Sequence, residues 1–357
     1  MRYRILLSGG GTAGSVTPLL ALASELRQRH PAAEFLFIGS TNGPEKVLVE
    51  AASIPFRSIA SGKLRRYWSW KNIQDIGKIF RGYQQAKKII RDWKPNVSIS
   101  AGSFVSVPVI WASHWLSVQT LVHQQDVRPG LANKLMMRAA NVITVAFQQS
   151  LQDFPPAKVH WTGNPVRPEI IQGDKQKARD FFHLESNIPV LLVLGGGTGS
   201  RSINMSIAAV MKQLTTHWQI LHVIGPEREV VEVQHARYQQ FSFLTTELPD
   251  ALAVADIVIS RAGLGALTEL AALSKPTIFI PMPGSHQEAN AQLVANHSAG
   301  IVLQETTALP TDITQTLDRL RQSPDEALAL GKKLHELYTP NAAAQLANEV
   351  IKLMKSS

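Results

Sequence analysis

The residues best suited to chemistry fall at five points, each where an apolar run gives way to glycine or polar residues. The first is Gly9-Gly-Gly-Thr-Ala-Gly-Ser15 after Arg4-Ile-Leu-Leu-Ser8, and the second is Gly195-Gly-Gly-Thr-Gly-Ser200 after Leu191-Leu-Val-Leu194. A leucine-rich strand ending in glycines brings main-chain N–H groups and a helix N-terminus close to a bound anion. One such cluster is equally well explained as a tight structural turn. Two in matching positions point to two nucleotide-binding-type α/β halves facing a shared cleft. Gly9-x-Gly11-x-x-Gly14 also has the form of a dinucleotide loop, but that reading needs an acid about 20 residues on to hold the ribose. The second strand ends Phe37-Ile-Gly-Ser40 without one, so NAD is set aside.

The third stretch, Gly102-Ser-Phe-Val-Ser-Val-Pro108, reads either as an ordinary strand-to-helix turn or as a second set of amides for a phosphate. The fourth, Arg261-Ala-Gly-Leu-Gly-Ala-Leu-Thr-Glu269, follows Ile257-Val-Ile-Ser260 and opens a helix. Glu269 there either favours the helix dipole or accepts two hydrogen bonds from a ribose diol. The fifth, His286-Gln-Glu-Ala-Asn-Ala291, lies just after a strand-and-proline run, where open α/β sheets bind ligands.

Apolar runs and helical patterns alternate around these points. Strands are expected at 3–8, 34–39, 97–101, 119–123 and 142–146, with helices near 18–29, 44–52, 72–93, 107–116 and 131–139. After a loop at 163–167 and a helical connection over 169–187, strands recur near 189–194, 219–224, 241–244, 257–259, 277–280 and 301–303. The tail from about 312 is helical. This alternation predicts an α/β fold of two Rossmann-like domains with mostly parallel sheets. The expected division is an N-terminal domain at 1–165, a C-terminal domain at 166–340, and a closing helix at 341–357 packing back on the first domain.

Composition agrees with two packed domains: 357 residues, 45 % hydrophobic and 18 % charged. The absence of cysteine excludes disulfides, zinc–thiolate sites and thiol catalysis. The start runs straight into a strand without a signal-peptide pattern, and no apolar stretch approaches the ~18 residues of a membrane span. A soluble protein, or one seated on a membrane from one side, is therefore expected. The net charge of +9 divides into +13 over residues 1–167 and −4 over the rest. Much of the excess lies in residues 62–94, which carry 10 Lys/Arg against Asp75 and Asp92. Arg65, Arg66, Trp68, Trp70 and Lys71 interleave cations with aromatic rings, a pattern suited to an anionic phospholipid surface. A solvated basic helix face is the plainer reading, and nucleic acid is disfavoured because no recognised module accompanies the patch.

Gly10-Gly-Thr-Ala-Gly-Ser15, Gly163-Asn-Pro-Val-Arg167, Gly195-Gly-Gly-Thr-Gly199, Arg261-Ala-Gly263 with Glu269, and His286-Gln-x-x-Asn-Ala291 occur together in order. Their spacing resembles the MurG family of glycosyltransferases, over residues 4 to about 305. The resemblance implies a GT-B type fold and inverting transfer of N-acetylglucosamine from UDP-N-acetylglucosamine to an undecaprenyl-pyrophosphoryl muramyl-pentapeptide. It also implies a role in peptidoglycan synthesis at the cytoplasmic face of the cell membrane. By this analogy Glu269 binds the uridine ribose, Leu244 and Thr245 the uracil, and Arg167 with Gly197, Thr198 and Gly199 the diphosphate. Leu264, Gly265, Ala266, Leu267 and Thr268 line phosphate and sugar, and Gln287 reads sugar hydroxyls. Thr12, Ala13 and Gly14, with Gly102 to Ser106, face the acceptor pyrophosphate and the reacting centre. That first loop and Asp126 also reach the donor sugar there, and Asn133 and His123 lie near. Gly11, Gly102, Ser103, Phe104, Ser106 and Asn133 face the lipid-linked acceptor.

The chain departs from the family pattern at the base. Ala13 and Ser15 stand where glycine and histidine are usual, and Gln124 with Asp126 replaces a glutamate and an asparagine. A serine hydroxyl is no base near neutral pH. Asp126, His123 and Ser15 are the catalytic candidates; base catalysis mattering less, or a weakened enzyme, are the other readings. No Asp-x-Asp occurs, so no metal clamp and no cofactor is expected. A diacylglycerol glycosyltransferase, a UDP-sugar epimerase and a UDP-sugar-binding regulator stand as alternatives.

Overall fold

The computed structural model describes residues 3–11, 13–41, 43, 45–62, 70–225, 235–306 and 309–355. The chain forms two compact units, one of residues 1–166 with 339–357 and the other of residues 167–338.

The first unit carries seven strands: β1 (Arg4–Ser8), β2 (Glu34–Ser40), β3 (Phe56–Ile59), β4 (Val97–Ser100), β5 (Gln119–Gln124), β6 (Val142–Val145) and β7 (Val159–Trp161). They pair in the order β3-β2-β1-β4-β5-β6-β7, parallel throughout. Helices α1 (Thr17–Arg29), α2 (Glu45–Ala51), α3 (Trp70–Trp93), α4 (Ser106–Trp115) and α5 (Leu131–Met136) connect them. Ile5, Leu6 and Leu7 are all fully buried, as a central parallel strand covered on both faces requires.

The second unit contains α6 (Pro168–Ile171), α7 (Lys175–Phe181), β8 (Val190–Leu194), α8 (Arg201–Leu214), β9 (Gln219–Val223) and β10 (Tyr238–Phe241). It continues with α9 (Leu248–Val254), β11 (Ile257–Ser260), α10 (Leu264–Ala272), β12 (Thr277–Phe279), α11 (Gln287–Asn296) and β13 (Ile301–Val302). Helices α12 (Leu309–Gln322) and α13 (Pro324–His335) complete it. The strand order is β10-β9-β8-β11-β12-β13, again parallel. Both sheets thus start in the middle, grow outward, return and grow the other way. In such sheets the point of reversal, between β1 and β4 or between β8 and β11, is where loops diverge and a ligand can enter.

The last helix, α14 (Ala342–Lys355), buries Leu346, Ala347, Val350, Leu353 and Met354 in one apolar cluster with Ile5, Leu7, Leu19 and Leu22 of the first unit. Burial of each of the Leu, Val and Met side chains stabilises by about 1.5–3 kcal/mol, so the end of the chain is part of that unit's core.

Four features differ from the sequence expectation. β3 and β7 are short outer strands of four and three residues whose mixed composition hides them. β10 begins at Tyr238, not near 241, because Gln239 and Gln240 dilute its apolar signal. The connection at 169–187 breaks into α6 and α7 at Gly173, where Asp174 caps α7 by accepting the amides of Gln176 and Lys177 at 2.7 and 3.2 Å.

Candidate functional site

In the second unit the strand reversal brings the loop after β8 beside the end of β11. The turn Gly195–Gly199 uses left-handed backbone at Gly196 (φ +85°) and Gly199 (φ +71°), and Gly199 donates to the Gly196 carbonyl at 2.9 Å. Gly225 packs so closely on the Cα of Gly199 that no larger residue fits there. The amides of Gly197 and Thr198 enter no hydrogen bond among the described residues, which leaves them available to an anion. Ser200 caps α8, its Oγ accepting the Ile203 amide at 3.3 Å.

Arg261 backs this loop. Its guanidinium is buried and donates to Ser200 Oγ at 2.6 Å, to the carbonyls of Ile280 and Pro281 at 3.1 Å each, and to Glu305. One cation therefore ties the ends of β8, β11 and β12 together behind the glycine turn. Asn290, also fully buried, holds α11 to the end of β11 by donating to the Ala262 carbonyl at 3.0 Å.

Arg167 and Glu269 form an ion pair, Nη2 to Oε1 at 3.1 Å, with little of either side chain exposed. Burial pushes the Glu269 carboxyl above its ordinary range, although the neighbouring guanidinium pulls the other way. The paired carboxylate keeps acceptor positions that Arg167 does not use. Gln287 accepts the Met282 amide at 3.1 Å, which fixes it at the start of α11. Leu244 is buried and Thr245 exposed, with the Thr245 amide bonded to Glu247 at 3.2 Å.

Leu267 is fully buried, and its amide donates to the Gly263 carbonyl at 3.0 Å. Thr268 is buried with its hydroxyl on the carbonyls of Leu264 and Gly265 at 3.0 and 3.1 Å. Leu264, Gly265, Leu267 and Thr268 are all buried in α10, while Ala266 and Glu269 are partly exposed.

In the first unit, loops after β1, β4 and β5 share the carboxyl edge of the sheet. Gly10 (φ +156°) and Gly11 (φ +80°) shape the first loop, and Val105 of the second lies against Gly10. Ser15 closes the first loop on itself: its hydroxyl accepts the Gly10 amide at 2.9 Å and donates to the Gly10 carbonyl at 3.2 Å. Ala13 and Gly14 form a short turn with Ser15, while Thr12 lies outside the described residues. The Gly11 amide reaches Glu45, a residue that sequence reasoning passed over, at 3.1 Å.

The loop after β4 combines Gly102 (φ +91°) with Ser103 (φ +117°), and Gln125 holds its start by donating to the Ala101 carbonyl at 2.7 Å. Ser106 is buried at the start of α4, and Phe104 packs on the cluster beneath it. Asn133 donates to Gln124, and its buried Oδ1 has no partner among the described residues, beside Gly102. Gln124 donates onward to the carbonyls of Asp126 and Arg128 at 2.6 and 3.1 Å, folding the turn that presents a half-buried Asp126.

The structure places His123 away from any base role. It is fully buried, with Nδ1 2.9 Å from the Thr144 hydroxyl and Nε2 3.1 Å from Asn164 Oδ1. Burial lowers it to about 4, so it is a neutral brace between β5, β6 and the 163–167 loop. Of the expected membrane residues, Arg65, Arg66 and Trp68 lie outside the described residues, and Trp70 and Lys71 are described only as backbone at the start of α3. Among the described residues no group of three or more His, Asp or Glu is arranged to hold a metal ion, and no helix is long and apolar enough to cross a membrane.

Two parallel α/β units, each with a glycine loop at its point of reversal, are the architecture of GT-B type glycosyltransferases. Residues 5–145 match the glycosyltransferase family 28 N-terminal domain and residues 190–348 the C-terminal domain. A protein of Lachnoclostridium phytofermentans named UDP-N-acetylglucosamine--N-acetylmuramyl-(pentapeptide) pyrophosphoryl-undecaprenol N-acetylglucosamine transferase is 38 % identical over 322 residues, covering 89 % of this chain and 90 % of that one. Among solved structures, Acinetobacter baumannii MurG shares the fold with a TM-score of 0.72 at 24 % identity, over 98 % and 99 % of the two chains. The UDP-GlcNAc 2-epimerase of Neisseria meningitidis bound to UDP-GlcNAc shares it with a TM-score of 0.71 at 14 %, over 99 % and 100 %. The chain belongs to glycosyltransferase family 28, in its MurG branch.

Proposed function

We propose that this chain transfers N-acetylglucosamine from UDP-N-acetylglucosamine to undecaprenyl-pyrophosphoryl-muramyl-pentapeptide, as its relatives are named for doing. The observation that carries the reading is the second unit's point of reversal. Unbonded amides of Gly197 and Thr198 stand there before Arg261, the first turn of α10 opens beside them, and the Arg167–Glu269 pair lies in the same unit. Glu269 takes the ribose hydroxyls, Arg167 and the glycine turn take the diphosphate, Leu244 and Thr245 border the uracil, and Gln287 meets the sugar. Departing UDP gains negative charge, which fixed N–H dipoles and Arg167 stabilise.

The first unit takes the acceptor, with Asp126 as the base. The acceptor hydroxyl oxygen bonds to the anomeric carbon from the face opposite UDP, the bond to the UDP oxygen breaks, and the hydroxyl proton passes to Asp126. Turnover is measured with UDP-N-acetylglucosamine and a short-chain polyprenyl-pyrophosphoryl muramyl-pentapeptide. Asp126→Asn should lose at least 10²-fold in kcat while binding UDP normally; wild-type turnover would remove Asp126 from this role. Activity should survive EDTA, and an absolute need for added Mg²⁺ would overturn the metal-free reading.

The first unit also seats the protein on the cytoplasmic face of the membrane. Phe80 and Trp115 are exposed on α3 and α4, and Lys87 lies over the Trp115 ring at 4.8 Å. Trp111, His114, Lys134, Leu135 and Arg138 border a shallow depression nearby. Cations around exposed rings suit an anionic headgroup layer. Exchanging Trp111 and Trp115 for serine should lower co-sedimentation with anionic vesicles, and unchanged sedimentation would count against this seat.

A further inference from the structure

Glu45 is fully buried at the start of α2, yet its hydrogen bonds go to the edge of the sheet where ligands enter. Oε2 accepts the Gly11 amide at 3.1 Å, while Oε1 accepts the Ser40 amide at 2.7 Å and the Ser40 hydroxyl. All three partners donate, which suits an ionised carboxylate, a group that only accepts. The pocket is shaped around it: a methyl group on Gly10 or on Gly43 would collide with the carboxyl oxygens. Gly11 itself is exposed, so the carboxylate lies one hydrogen bond beneath the surface that a substrate would touch.

Two consequences follow for the first glycine loop. Its shape is held from both sides, by Glu45 through Gly11 and by Ser15 through Gly10. Its charge is also set, because a buried negative group lies beneath it and already occupies an amide that an anion would need. An anion settling on Gly11 would meet that carboxylate across a poorly screened interior.

We propose that Glu45 is a positioning residue for the transfer: it fixes the first glycine loop against the acceptor's reacting sugar and reserves that loop for a neutral, hydroxyl-bearing group rather than for the pyrophosphate. The proposal rests on the transferase reading above.

The test is Glu45→Gln, which keeps the shape, removes the charge and sets an NH2 group against the donors. Turnover, acceptor KM, UDP affinity by calorimetry and inhibition by inorganic pyrophosphate competing with the acceptor are measured on both proteins. The expected result is a kcat lower by about 10²-fold, with UDP affinity within about twofold and pyrophosphate inhibition not weakened. Three results would overturn it: wild-type kcat, UDP affinity falling in step with kcat, or pyrophosphate inhibition weakening by the same factor, which would give the loop to the anion. Should Glu45→Gln fail to fold, Glu45→Asp keeps the charge but withdraws it from Gly11. It should show the same kcat loss at normal UDP affinity, and wild-type turnover there also overturns the proposal. No transfer by the unmodified protein would sink the transferase reading and the proposal with it, whereas an unimpaired Glu45→Gln beside an active parent sinks the proposal alone.

Discussion

Two glycine loops of nearly the same sequence follow the first strand of two sheets with the same order of growth, yet they rest on side chains of opposite charge. Glu45 lies beneath the first and takes its Gly11 amide. Arg261 lies behind the second, where it donates to the capping Ser200 and also to Glu305 and two carbonyls, and the amides of Gly197 and Thr198 stay unbonded among the described residues. Glycines decide that the backbone can turn sharply; a residue far along the chain decides what the turn can hold. The second loop keeps two amides open before a buried arginine, whereas the first has its Gly11 amide already taken by a buried carboxylate.

The hardest blow to this contrast falls on Arg261. Arg261→Met leaves Glu305, Ser200 Oγ and two buried carbonyls without their donor. Breaking a buried charge cluster from one side costs about 3–5 kcal/mol. The midpoint of urea unfolding and the UDP affinity should both fall, and Arg261→Lys should restore only part, since an ammonium cannot fork to several ends at once. Unchanged UDP affinity in a folded Arg261→Met protein would mean the positive backing is not needed.

The two units also agree in one respect, and acid measures it. His123 in the first sits between Thr144 and Asn164, and His222 in the second between Tyr238 and Asn204, at 2.8 and 3.1 Å. Burial lowers both to about 4 from 6.5. Between those values the unfolded chain binds a proton that the folded chain refuses. Stability is therefore complete above about pH 6.5 and drains away as pH falls toward 4, by roughly 3 kcal/mol per histidine. Unfolding free energies followed across that window should show the slope, and His222→Gln should flatten about half of it.

Calorimetry with Glu269→Ala sharpens the donor side. Loss of a partly buried, charge-assisted acceptor is worth about 2 kcal/mol, or about 30-fold in UDP affinity. Undiminished affinity would detach Glu269 from the nucleotide.

Much of this was legible in the sequence, and the gaps have physical causes. The two α/β units were plain because buried parallel strands such as Leu191–Leu194 read as unbroken apolar runs. The glycine turns were plain because the backbone they need is written locally in glycine. Glu45 was not, since it lies 34 residues from Gly11 and looks like any acid opening a helix. His123 stood beside polar neighbours and looked reactive, while its partners Thr144 and Asn164 come from 21 and 41 residues away.

The smallest effect tests a third loop against the first two. Where those place glycine in left-handed backbone, the loop after β4 places Ser103 at φ +117°, a region that costs a residue with a side chain about 1–3 kcal/mol. Its hydroxyl recovers part of this by accepting the Val105 amide at 3.3 Å, a long and therefore weak bond. Strain exceeds that gain, so Ser103→Gly should stabilise the protein by about 1 kcal/mol in denaturant unfolding. If Ser103 holds the acceptor through its side chain, the same variant should raise the acceptor KM while it raises the midpoint. A higher midpoint with an unchanged KM would make the serine a tolerated strain and leave Gly102 and Asn133 to carry the acceptor at that edge.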